Sequence, residues 1–107
     1  MTESSLESDW QIYKKRVPEW RERYLAQKNE EIVAALSNID KTPTEQFWDA
    51  KHVIDDEAKI LADCLDPHSR SNMFLSLLLM IRYELIEESD LNEFSGEIRE
   101  QILSTRN

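Results

Sequence analysis

One glycine and three prolines in 107 residues leave little material for tight turns. A fold of many hairpins needs glycine for positive φ and proline to preset a turn, so β-rich architectures are disfavoured. A single cysteine excludes an intrachain disulfide and suits a reducing compartment. The chain has no glycine-rich phosphate loop, paired zinc-ligand motif, nucleophile elbow or dinucleotide fingerprint. The opening MTESSLESDW has neither a basic nor an apolar stretch, so no secretory signal is expected. The most apolar run, Met73 to Ile81, is about half the length that crosses a bilayer. The expectation is a cytoplasmic protein with no membrane span and no cofactor.

What is present is charge and helix formers. Charged residues make up 33% of the chain, above the usual quarter, and the net charge is −9. The balance is uneven. Residues 1–28 hold six basic and five acidic side chains; residues 29–107 hold seven and seventeen. That acidic body repels nucleic acid and anionic lipid, which makes nucleic acid an unfavoured partner. Abundant Glu, Leu, Ala, Lys, Arg and Gln favour long helices. The expected fold class is all-α, a compact bundle of four to five helices with short connections. Residues 1–7 are expected as a loose tail and residues 8–107 as a single domain.

The first helix is expected to start near Ser8 or Asp9 and end near Asn38. Trp10, Tyr13, Val17, Trp20 and Tyr24 recur at spacings of three and four, which makes one apolar stripe. Pro18 interrupts it, so the helix either kinks or divides there. A second stripe, Ile32, Val33, Leu36 and Ile39, lies on a rotated face. In TPTEQFW, Thr42, Pro43 and Glu45 have the spacing of a capping box with proline at the first helical position. That helix carries Phe47, Ala50, Ile54, Ala58, Leu61 and Leu65, and should stop before Pro67. Asp66 then caps a third helix that runs to Ile86. A fourth starts at Ser89 or Asp90, with Asp90 and Glu93 at capping-box spacing. Gly96 weakens it, and Ser95 is an alternative cap for a separate last helix.

The third helix raises a question. From Met73 to Ile81 only Ser76 is polar, so the helix is apolar all round. Such a helix is either central to its bundle or covered by another chain. The reading adopted from the sequence is a homodimer joined through Leu77, Leu78 and Ile81, with a further protein as partner.

Other candidate residues have structural readings beside the functional ones. WQIYKKRVPEWRERYLAQK interleaves aromatics with base, and Lys14, Lys15, Arg16, Arg21 and Arg23 are candidates for partner contact or, less favoured, nucleic acid. The same aromatics suit a core stripe, and the basic residues a solvated face. Asp49, His52 and Asp56 share a helix face and are a candidate metal site for a small helical enzyme. A companion motif on another helix is missing, so a charged outer face is the simpler reading. Asp55 with Lys59 has ion-pair spacing. In DCLDPHS, Asp63, Cys64, Asp66 and His68 crowd one corner, but an acidic setting does not favour a thiolate. Ser69, Arg70 and Ser71 offer anion donors at a helix start. The reading that best joins these features is an acidic helical interaction or regulatory module, more plausibly not an enzyme.

Overall fold

A computed structural model of the chain describes residues 3–106. Four α-helices make the fold: α1, Glu3–Leu36; α2, Pro43–Leu65; α3, Met73–Arg82; and α4, Gly96–Thr105. Short 3-10 turns at Arg70–Asn72 and Glu88–Leu91 join them, and the described residues hold no strand. The all-α class therefore holds. The shape is elongated, 57 × 23 × 17 Å.

Helix α1 begins at Glu3, ahead of the expected start at Ser8 or Asp9; of the residues read as a tail, Met1 and Thr2 lie outside those described. Pro18 neither ends nor divides the helix, which continues for 34 residues. Pro18 is exposed, so the Lys14 carbonyl that loses its partner there lies on the water side. The start of α2 is as its sequence indicates. Glu45 N–H donates to the Thr42 hydroxyl at 3.2 Å and Thr42 N–H to the Glu45 carboxylate at 3.0 Å.

The third helix is shorter than expected, and its ends explain why. Asp66 closes α2 rather than opening α3, its N–H donating to the Ala62 carbonyl at 3.2 Å. At the other end Glu84 takes a left-handed φ of 60°. Leu85 N–H reaches back to the Met80 carbonyl at 2.8 Å and Glu84 N–H to that of Ile81 at 3.1 Å. This is a Schellman cap with glutamate where glycine is usual. The reversal folds Leu85 and Ile86 into the core. Beyond it, Ser95 caps α4 as a separate helix, accepting from Ile98 N–H at 3.4 Å.

The core lies at one end of the molecule. The α1 stripe Trp10, Tyr13, Val17, Trp20 and Tyr24 is buried, with Met73, Leu77 and Met80 of α3 and Ile98 and Ile102 of α4. Leu91 and Phe94 close it, with the Phe94 ring 6.2 Å from that of Trp20. Asp9 is buried and fastens α1 to α4. It accepts from Ser95 N–H at 2.8 Å and from the Ser95 hydroxyl at 2.7 Å.

Candidate functional site

Helix lengths determine where the chain runs out of cover. At 1.5 Å per residue α1 spans about 50 Å, whereas α3 and α4, ten residues each, span about 15 Å. The far halves of α1 and α2 therefore extend as a two-helix hairpin with no third element over them. Their apolar stripes still follow helical spacing, but little covers them. Ile39 is 93% exposed, Val33 61%, and Phe47 and Trp48 57% each; Leu36 and Ile54 are also exposed.

One side of this hairpin is a continuous apolar groove. Its inner hollow, about 390 Å³, is bounded by Leu25, Ile32, Ile54, Ala58 and Leu61, with Lys28, Asn29 and Glu57 at the edges. Its outer hollow, about 520 Å³, is bounded by Ile32, Leu36, Phe47, Ala50 and Ile54, with Lys51 and Asp55 at the edges. Ile32 and Ile54 belong to both. At the loop end Phe47 and Trp48 meet edge to face, ring centres 5.2 Å apart.

The charges around the groove are matched. Lys51 pairs with Asp55 at 2.5 Å and lies 6.0 Å from the Trp48 ring centre. Lys28 is 3.0 Å from Glu31 and 3.8 Å from Glu57. The Tyr24 hydroxyl donates to Glu57, and burial together with that carboxylate holds the phenol above its ordinary range. The groove thus offers apolar surface and shape, with no excess of either sign and no reactive group.

The residues singled out in the sequence fall elsewhere. Leu77, Leu78 and Ile81, expected at an interface, are buried in the chain's own core. The apolar third helix is central, enclosed by the aromatic stripe of α1, the inner end of α2 and the last helix. Only Leu75 of its large apolar side chains is more than half exposed.

The basic set is largely engaged within the chain. Arg16 binds Glu93 through two 2.6 Å hydrogen bonds and Glu19 at 2.8 Å. Arg23 forks onto Asp90 at 2.7 and 3.0 Å. Lys14 lies 5.8 Å from the Trp10 ring centre. Lys15 is exposed and Arg21 half-buried. The aromatics between them face inward, so no stacking surface accompanies this charge.

Asp49 pairs with Lys41 at 2.7 Å, and His52 with Asp56 at 3.5 Å, on an open face. Among the described residues no group of three His, Cys, Asp or Glu side chains is placed to hold a metal ion. Asp55 pairs with Lys51, one turn back, rather than with Lys59. At the corner, Cys64 is buried and its thiol is pushed up to about 11 by burial and the neighbouring Asp63. That is the opposite of an activated nucleophile. His68 rests against the Trp10 and Tyr13 rings, with centres 5.2 and 5.5 Å away. Arg70 is held by Glu7 at 2.9 Å. No helix among the described residues is long and apolar enough to cross a membrane.

Two groups escaped the sequence reading. Asp9 reads in the sequence only as a possible helix start, and its partner Ser95 only as a cap. Trp48 falls outside the α2 stripe. The adjacent aromatics of QFWD carried a signal, since neighbours about 100° apart on a helix cannot both face one partner helix.

No family model matches the chain, and no curated protein or solved structure shows significant similarity to it.

Proposed function

We propose that the protein is a small acidic interaction module of the cytoplasm whose working surface is the apolar groove of the α1–α2 hairpin, seated against helix from another polypeptide. The observation that carries this reading is the uncovered groove itself. Leu36, Phe47 and Ile54 line it while about half exposed, and Val33, Trp48 and, in the connecting turn, Ile39 are exposed elsewhere on the same hairpin. Large apolar patches on small proteins mark contact surfaces. Two antiparallel helices with an apolar trough between them form half of a four-helix bundle, and a helix fits that trough. A catalytic reading has no activated group among the described residues to rest on, and a nucleic-acid reading finds Arg16 and Arg23 already paired.

A photo-crosslinking residue placed at Phe47 in living cells tests the reading. Discrete crosslinked polypeptides from position 47, and none from the exposed position 101 on α4, are the expected result. No product from position 47 would contradict it.

A further inference from the structure

We infer that the groove is filled by a second copy of the chain, lying antiparallel so that two hairpins complete a four-helix arrangement. The inference rests on the groove being the working surface and names its occupant.

Length is the first argument. Leu36, Phe47 and Ile54, each about half exposed, line the groove, while the exposed Val33, Ile39 and Trp48 lie outside it. From Phe47 to Leu61 the groove runs about 21 Å along α2, the length of a helix–helix contact rather than of a local dimple.

Shape is the second. The loop end bears the protruding Phe47 and Trp48, and the inner end is a hollow with the small Ala58 between Leu25 and Leu61. Ile54 belongs to both hollows. A two-fold axis through Ile54 exchanges the ends, because Phe47 and Leu61 each stand seven residues from it. Phe47 of one copy then meets Leu61 of the other, and the aromatic end enters the hollow. Such an isologous contact closes on itself as a dimer.

Charge is the third. In that register Lys51 approaches Glu57 of the second copy, since each stands three residues from Ile54, and each keeps its in-chain partner, Asp55 and Lys28. The chain as a whole carries −9, yet Lys28, Lys51, Asp55 and Glu57 leave the groove edges balanced. The copies meet where their repulsion is least, and added salt should tighten the contact by screening the rest.

The test is solution mass by light scattering across a dilution series, at low and at 0.5 M salt (about a 4 Å screening length), for wild type, Phe47→Asp and Ile54→Asp. Circular dichroism checks that each variant is folded. The expected result is a wild-type dimer that dissociates on dilution and tightens with salt. Either variant should be a folded monomer, its dimer dissociation constant raised at least roughly a hundredfold. Spin labels at Thr44 should lie about 30 Å apart, twice the length of ten helical residues. A wild-type monomer at all concentrations, a dimer unmoved by both substitutions, or labels within about 15 Å would overturn the antiparallel dimer. Crosslinking at Phe47 separates the two ideas. A monomer that still captures a different polypeptide overturns only the second copy, and one that captures nothing overturns the interaction reading as well.

Discussion

Glu84 shows how one residue sets the length of a helix. Its left-handed backbone ends α3 and turns Leu85 and Ile86 inward. A non-glycine residue there carries a penalty of about 1–2 kcal/mol. Glu84→Gly should therefore raise stability by about 1 kcal/mol in a urea titration, with no loss of packing because the side chain is exposed. Asp9 works in the other direction. Its buried carboxylate takes both donors of Ser95, across 86 residues of sequence. Asp9→Ala should lower stability by about 2 kcal/mol, the range for hydrogen bonds to a charged group. Neither position was legible beforehand. A left-handed glutamate has no sequence signature, and a helix-start aspartate looks the same whether its partner is local or distant.

Four carboxylates set the acid response at this scale, one of them Glu45, which its hydrogen bond from the Thr42 N–H lowers. Hydrogen bonds from Arg70 and Gln11 draw Glu7 down to about 2, and those from Arg16 lower Glu93. Burial raises Asp90, but hydrogen bonds from Arg23 and from the Glu87 N–H outweigh it. A group depressed in the folded state stabilises it above the unfolded pKa and loses that effect as pH falls through the folded one. Stability should be level between about pH 5 and 8 and decline toward pH 2 as these groups protonate. Thermal melts across that range check the sign. Glu7→Gln should flatten the lower part of the curve, and a wild-type profile independent of pH below 5 would contradict it.

At the scale of elements, local chemistry was legible and extent was not. The capping box at Thr42 and Glu45, the α1 stripe and the stop before Pro67 all follow from short-range rules, and the structure has them. Helix α3 was expected to be twice its actual length. The expected third helix would have covered more of the hairpin, so the open groove could not be seen from sequence. Its apolar residues were recognised at helical spacing, but spacing says which residues share a face and not what lies opposite. The same limit holds for Leu77, Leu78 and Ile81: a helix apolar all round fits a centre as well as an interface.

Pro18 belongs to this scale too. It removes a hydrogen bond from the middle of a 34-residue helix while facing water. Pro18→Ala restores that bond and should stabilise the protein by about 2 kcal/mol, somewhat below the full interior penalty because the helix already accommodates the ring. Chemical denaturation measures it, and no gain would show that the ring supports the fold in another way.

At the scale of the whole molecule, two regions differ in what holds them. One end has a core built from all four helices. The other is two helices in contact with each other and open to water along an apolar groove. The fold is satisfied in the first region and unfinished in the second. Residues that stabilise the monomer and the exposed residues proposed to meet a partner are therefore largely different sets. Leu78→Asp should unfold the chain, since a charge in that core has no partner. Phe47→Asp should leave the melt of the dilute monomer within a few degrees of wild type, because its side chain is mostly in water.

Amide hydrogen exchange of the wild-type protein at low and high concentration tests the central claim most directly. The account predicts slower exchange at high concentration along residues 46–61 and 28–36, and unchanged exchange in α4. Equal exchange at both concentrations, or new protection centred on α3 instead, would contradict it.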